Sequence, residues 1–287
     1  MTKLNNLLAR IPEIQARAKR GTGRKALPKN VIQLPVWPQA VRAVPNGFLR
    51  SALFSAIGKG KRRYMQAELV ASVDGVEIRY TGQRLDQGDL DVWETVLHAV
   101  RHQELGEEYR ITTYALLKLM GKTNSGENRK TLQTRLERLR ANALTVKQGR
   151  FTYIGGLIAG AAKDEETQEW VIELDKKMRP LFAADQFTQI EWEVRHALNG
   201  QSLAQWLHGF YASHAKPFPI KVETLLDLSG SENTEPRSSR QKLRKALNAL
   251  TDTSEMFGEK FSYEIRGDLV HVDKQGKRAN KPRKPRD

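Results

Sequence analysis

The amino-acid sequence predicts an α+β fold of two tandem units, each an apolar helix, a tight turn, a basic amphipathic helix and a β-hairpin, with basic flexible termini. Three observations predict it. Residues 237–250, RSSRQKLRKALNAL, carry five basic side chains and no acidic one, with a leucine seam at helical spacing. Helix and strand periodicities surround this segment in an order that occurs once before in the chain. The 287 residues exceed what one such unit needs and fit two small cores plus arms.

In the first unit, periodicity predicts a helix from Val92 to Gln103 and a strand from Tyr109 to Thr112, followed by TYALLKLMG and the turn KTNSG. A second helix then runs from Asn128 to Leu144. Its apolar stripe is Leu132, Leu136, Leu139 and Ala143, and Arg129, Lys130, Arg135, Arg138 and Arg140 decorate the rest. Strand-like runs follow: LTVKQ, RFTYIGGLIAG and, across the polar turn AAKDEETQE, WVIELD. Upstream, Leu49, Leu53, Phe54 and Ile57 repeat at helical core spacing.

The second unit opens with a helix from Ser202 to His214, whose Leu203, Trp206, Leu207 and Phe210 form a core face. PFPIKVETLLDLSG then gives an extended piece and a helix, Val222 to Leu228, stopped at Gly230. The turn SENTEP offers Asn233 or Thr234 as N-cap, with Pro236 tolerated in the first turn. In the basic helix Leu243, Ala246, Leu247 and Leu250 share one face, which must be buried. Two strands, Phe261 to Arg266 and Leu269 to Asp273, meet at a Gly267-Asp268 turn. Helix, turn, basic helix and hairpin make a winged helix. The expected organisation is a basic N-terminal arm at 1–36, a first winged-helix domain at 37–192, a second at 193–274 and a basic tail at 275–287. Trp93, Trp170, Trp192, Trp206 and Phe210 are the expected core anchors.

A net charge of +15 implies a polyanionic partner, and its distribution says more than its total. Residues 1–30 and 274–287 carry thirteen of those fifteen charges, so the middle of the chain is nearly neutral. The folded body must therefore bind nucleic acid through clustered patches. On the helix of 237–250 the face opposite the leucines carries Arg237, Ser238, Gln241, Lys245 and Asn248, flanked by Arg244 and Lys242. Cations that bind phosphates are mixed there with side chains able to read base edges. Arg240 on the same helix and Arg266 at the hairpin belong to the same candidate surface.

Other classes of function find no support. The chain has no cysteine, which excludes disulfides and thiolate metal sites and suits a reducing bacterial cytoplasm. It has no long apolar run, so no membrane partner is expected, and its N-terminus lacks the apolar centre of a secretory signal. Neither GTGRK at Gly21 nor GKGK at Gly58 completes a phosphate-cradling loop. His98 and His102 are spaced like zinc ligands on a helix, but Ala99 stands where a metalloprotease has its glutamate. Asp89, Asp91 and Glu94 cluster near a helix start, where the macrodipole accounts for them. The expectation is a DNA-binding protein that is not an enzyme and needs no cofactor or metal.

The segments WPQAVRAVPN, LRSALF, YTGQRL, DVWETVLHAV, LFAADQFTQIEWE, FYASHAKPFPIKVETL and DLVHV resemble, in order from Trp37 to Val272, the TrfA-type plasmid replication initiators. That resemblance implies two winged-helix domains that bind direct repeats, or iterons, in double-stranded plasmid origin DNA. It further implies opening of an adjacent A·T-rich segment, with single-stranded DNA as a further partner, and recruitment of the host replicative helicase with its loader, the host initiator and the sliding clamp. It implies self-association too, with monomers active and dimers inactive. Carried over, Arg237, Ser238, Gln241, Arg244, Lys245 and Asn248 would read the iteron. In the first domain Arg129, Lys130, Thr134 and Arg138 would do so, Glu137 on the same face limiting phosphate contacts.

The family's clamp-binding peptide, Gln-Leu-x-Leu-Phe, has its nearest counterpart in Gln33-Leu34-Pro35-Val36-Trp37, with Gln33, Leu34 and Trp37 as candidate clamp contacts. The alternative function is a site-specific, autoregulatory transcriptional repressor that uses the same helices without opening DNA. A dyad-symmetric target would favour it, and direct repeats favour initiation. A scaffold that binds acidic partners would instead show weak, sequence-indifferent DNA binding. A nuclease lacks its carboxylate constellation.

Overall fold

The computed structural model describes residues 34–275, except Lys59, Lys61, Asp74, Asn233 and Thr234. Strand β1 (Val41–Pro45) leads into one helical turn, α1 (Asn46–Leu49), then β2 (Phe54–Ser55), β3 (Tyr64–Val70), β4 (Val76–Gln83) and β5 (Leu85–Asp86). The single helical stripe expected of Leu49, Leu53, Phe54 and Ile57 is corrected here. Leu49, Leu53 and Phe54 are core residues, but α1 stops at Leu49 and β2 pairs in parallel with β5, so the backbone groups are satisfied across strands.

Helix α2 (Gln87–Val100) starts earlier than the apolar pattern predicts because Asp86 and Asp89 cap it reciprocally. The Asp86 carboxylate accepts from the Asp89 amide at 2.9 Å, and the Asp89 carboxylate accepts from the Asp86 amide at 3.0 Å. Strand β6 (Glu108–Thr112) then runs directly into α3 (Thr113–Leu119), and a turn leads to α4 (Gly126–Arg140). The expected continuation to Leu144 is corrected too. Asn142 Nδ2 donates to the carbonyls of Arg138 (3.2 Å) and Leu139 (2.6 Å), closing the helix, and Ala143 is exposed at the start of a strand.

Four strands follow: β7 (Ala143–Gln148), β8 (Phe151–Gly155), β9 (Gly160–Lys163) and β10 (Glu169–Glu173). A 3₁₀ turn at Lys176–Phe182 leads to β11 (Phe187–Glu191), which returns to pair with β1. The remainder is α5 (Trp192–Ala197), α6 (Ser202–Ala212), β12 (Ile220–Lys221), α7 (Val222–Leu228), α8 (Pro236–Met256), β13 (Lys260–Arg266) and β14 (Leu269–Gln275).

The internal repeat is visible in the sheets. One three-stranded sheet has the order β6-β10-β9 and another β12-β14-β13, both antiparallel, and in each the first strand feeds directly into a seven-residue helix. Those two helices, α3 and α7, also end alike. Gly121 (φ 65°) and Gly230 (φ 66°) adopt the left-handed conformation. Lys122 N donates to Leu117 O at 2.8 Å and Ser231 N to Leu226 O at 3.0 Å, the 6→1 bond of a Schellman cap in both cases. The counterpart of β13–β14 is therefore β9–β10. The hairpin β7–β8, which follows α4 in sequence, is an insertion that joins β4 and β3 in a four-stranded sheet of order β3-β4-β7-β8. At its edge, β3 is bulged: the register shifts between Met65 and Glu68, and Ala67 sits at φ 51° with its N–H on Thr81 Oγ1 (2.8 Å).

Leu132, Leu136 and Leu139 of α4, and Leu243, Ala246, Leu247 and Leu250 of α8, are buried as their spacing requires. Burying each leucine contributes roughly 1.5–3 kcal/mol. Trp93, Trp170, Trp206 and Phe210 are core anchors; Trp192 is half-buried, with the Arg42 guanidinium 4.5 Å above its ring. The described residues pack as one unit, with the expected boundary after Trp192 inside it. Across that seam the buried Arg195 of α5 donates to Asp91 (2.8 Å) and to the side chain and carbonyl of Gln87 (both 3.0 Å), and lies 2.7 Å from Glu94. Trp206 Nε1 donates to Ser51 O at 3.0 Å.

Candidate nucleic-acid interface

Helix α8 starts at Pro236, with Glu235 as its N-cap accepting from the Arg237 and Ser238 amides. The N-cap expected at Asn233 or Thr234 is thus supplied by Glu235; those two residues lie outside the described set. Once the leucines are buried, 100° per residue leaves Arg237, Gln241, Lys242, Arg244, Lys245 and Asn248 exposed, with Ser238 half-buried. All but Asn248 belong to the first three turns. Farther along, Asp252 and Glu255 are exposed, so positive charge is confined to the N-terminal part of α8.

The hairpin β13–β14 is bolted to the same face. Arg240 Nη2 donates to Gly267 O at the hairpin turn (2.6 Å), which makes Arg240 a tie between helix and hairpin. Tyr263 of β13 donates its hydroxyl to Asn248 Oδ1 at 2.6 Å. That bond orients the Asn248 amide so that its NH₂ group faces away from Tyr263 and stays available as a donor. Arg266 is exposed and paired with Glu264 at 2.7 Å. On the other flank of α8, Lys242 and Lys245 line a cleft of about 550 Å³ whose opposite wall includes Ile57, Leu203 and Glu232.

Helix α4 carries as many cations but uses them differently. Arg135 Nη1 reaches Asp86 at 2.6 Å and Asp89 at 2.9 Å, Arg138 reaches Asp89 at 2.6 Å, and Arg62 also pairs with Asp86. Asp89 is fully buried, and the Arg138 side chain is only 10% exposed. Burial opposes the charge on Asp86, but Arg135 and Arg62 overcome it and hold that carboxyl at about 2. Arg138, a candidate for reading DNA, is therefore folded against α2. Arg129 donates to Asn124 Oδ1 at 2.7 Å near the start of the helix, and Lys130 and Thr134 are exposed. Glu137 accepts from Gln133 at 3.0 Å on the outer face.

Other candidates fall inside the protein. Leu34 and Trp37 are 3% and 2% exposed, and Trp37 Nε1 donates to His98 Nδ1 at 3.0 Å. A clamp-binding peptide must present its apolar ends to a partner, and these two side chains are packed in the core; Gln33 lies outside the described residues. His98 completes its bonding through Nε2 to Gln39 Oε1 (2.7 Å), and burial next to Arg42 and Arg101 lowers its pKa to about 3, so it is a neutral core histidine. Among the described residues no group of three or more His, Asp or Glu side chains is placed to hold a metal ion. No helix among them is long and apolar enough to cross a membrane.

Sequence reasoning missed Arg62, Arg84, Asp86, Tyr263 and Glu235. The Asp86-x-x-Asp89 spacing ahead of an apolar run was a usable signal for a helix cap. The partners of Arg62 and Arg84 had none, because they are set by tertiary contact.

A family model described as TrfA protein matches residues 15–274, nearly the whole chain. The chain belongs to the TrfA family. It is 27% identical over 234 residues to the plasmid replication initiator protein TrfA of Escherichia coli, covering 79% of this chain and 61% of that protein. The chain therefore spans about three-fifths of that relative's length. Among solved structures, domains 2 and 3 of RctB are similar in fold, with a TM-score of 0.56 at 13% identity, covering 82% of this chain and 99% of that one.

Proposed function

We propose that this TrfA-family chain is a plasmid replication initiator that binds direct repeats in its origin through two winged helices. The observation that carries the proposal is the N-terminal part of α8: exposed Arg237, Gln241, Lys242, Arg244, Lys245 and Asn248 on one face, with a hairpin wing tied beside them through Arg240 and Tyr263. An exposed helix face of that composition suits the major groove, its cations on phosphates and its Gln and Asn amides on base edges. The first winged helix, α3 and α4 with β9–β10 as its wing, offers Arg129, Lys130 and Thr134 and adds fewer phosphate contacts.

The function needs no chemical step by the protein and no cofactor. Several copies bound side by side would bend or untwist the repeats, and the deformation would favour unpairing of a weak A·T-rich neighbour. Captured single strands and recruited host helicase, loader and initiator would complete initiation in the bacterial cytoplasm.

Footprinting on the plasmid origin at physiological salt, with permanganate probing of unpaired thymines, tests the proposal. Protected direct repeats with reactive thymines beside them are the expected result. A protected inverted repeat without opening would make the protein a repressor, and the absence of any discrete footprint would overturn specific binding altogether.

A further inference from the structure

Between the two repeats runs a short strap, residues 83–89, that touches helix α4 on one side and the turn leading into α8 on the other. On one side Gln83 Oε1 accepts from Arg138 of α4 at 3.3 Å, and Asp86 and Asp89 hold Arg135 and Arg138. On the other side Arg84 reaches the turn that joins α7 to α8. Its Nη2 donates to Gly230 O and its Nη1 pairs with Glu232, while Nε donates to Ser55 Oγ at 3.1 Å. The Arg84 side chain is only 13% exposed.

The turn is seated closely against this guanidinium. Gly230 is at φ 66°, and a Cβ there would lie 2.6 Å from Ser55 Oγ and 2.7 Å from Arg84 Nη2. Next to it, Ala56 N donates to Ser229 O at 2.7 Å. The planar fork of arginine spreads its donors to a carbonyl, a hydroxyl and a carboxylate around one plane, a placement that the three donors clustered on a single ammonium nitrogen do not match. The turn that leads into α8 is thereby fixed to the same seven-residue strap that anchors the C-terminal half of α4.

We infer that Arg84 is a positioning residue that sets the placement of α8 relative to α4, so that the protein accepts the two parts of each DNA repeat at one spacing only. The inference rests on the proposed role of both helices in DNA binding. Since one strap holds both α4 and the turn that leads into α8, a shift of α8 relative to α4 must break the Arg84 contacts, and a repeat with an extra base pair between its two parts would engage one helix and lose the other. Losing one helix's base contacts costs about tenfold or more in affinity.

The chain has no cysteine, so pairs of introduced cysteines can be spin-labelled cleanly. With labels at the exposed Thr131→Cys of α4 and Gln241→Cys of α8, the DNA-free protein should give one narrow interlabel distance. Arg84→Ala should broaden it, Arg84→Lys should fall between, and Glu232→Ala, which removes only a partner that is 67% exposed, should leave it unchanged. In parallel, duplexes selected from a random pool by the unlabelled protein are lengthened by a single base pair at each position in turn. The parent protein should lose about tenfold at central insertions, and Arg84→Ala should bind the original duplex nearly as well while losing less than about threefold there. An unchanged distance distribution in both Arg84 variants, or the same insertion penalty in parent and Arg84→Ala, would overturn the inference. If selection returns no specific duplex, the DNA role fails instead, and the label distances still report on Arg84.

Discussion

Helices α4 and α8 occupy equivalent places in the two repeats, each after a seven-residue helix with the same glycine cap, yet their arginines do different work. In α4, Arg135 and Arg138 are drawn inward by Asp86 and Asp89, and the helix is held against α2 by charge as well as by leucines. In α8, no ion pair among the described residues holds the cations of 237–245; the one tie, from Arg240, goes to a backbone carbonyl. The same residue type in the same fold position is thus a structural fastener in one repeat and a solvent-facing contact in the other. A count of arginines on a helix does not distinguish these, but a buried partner carboxylate does.

The comparison breaks most severely at Asp89. Asp89→Ala leaves the largely buried Arg138 without a carboxylate and Arg135 with Asp86 alone, and unfolding in urea should show a loss of about 3–5 kcal/mol. Next in size, replacing Arg244 and Lys245 of α8 together by alanine should leave unfolding nearly unchanged but weaken specific duplex binding about a hundredfold, and it should reduce the slope of log affinity against log salt by about 2. Equal losses from alanines in the C-terminal tail would remove α8 from the recognition role.

A smaller effect belongs to the seam between the repeats. Burial raises the Glu94 carboxyl from 4.5 to about 7 despite Arg195 beside it. A raised carboxyl pKa means that the folded state holds a proton which the unfolded state has released. Its stabilising contribution is therefore full below about 4.5 and is lost as pH rises through about 7. Relative to Glu94→Gln, the parent should lose roughly 2 kcal/mol between pH 5 and pH 7 in urea titrations. Both proteins share the opposite trend from His98 and His208, whose pKa values are lowered by burial to about 3 and which destabilise the fold as pH falls below 6.5; the difference between the two proteins cancels it. Smallest of all, Tyr263→Phe frees the Asn248 amide from the hairpin and should reduce discrimination among duplexes by about 1 kcal/mol without changing the salt slope.

Much of the second repeat is legible in the sequence because its signals are local. The leucine spacing of 243–250, Gly230 as a stop and Gly267 at a turn place α7, α8 and β13–β14 closely. Helix α8 runs on to Met256 because Thr251 to Met256 form a polar turn and a half with no apolar period to read. In the first repeat the local order misleads. The strand run nearest to α4 in sequence joins another sheet, whereas the pairing of β10 with β6 puts β9–β10 in the place that β13–β14 takes in the second repeat. Pairing between strands so far apart in sequence leaves no periodic trace. The partners of Arg135 and Arg138 likewise lie 46 to 49 positions away, so no spacing rule links them.

Under the proposed function, in which copies of the chain gather on adjacent repeats, the bulge in β3 acquires a meaning. A flat edge strand offers unpaired amides and carbonyls to any neighbour, and crowding along DNA would bring such edges together at high local concentration. Ala67 turns its N–H back onto Thr81, and the shift between Met65 and Glu68 breaks the ladder that a visiting strand would extend. Arg63 and Glu68 add a charged pair on the same rim. The edge nearest this bulge is thus guarded against adhesion, and on the proposed repeats the spacing of the DNA, rather than the stickiness of the protein, would decide how closely the copies stand.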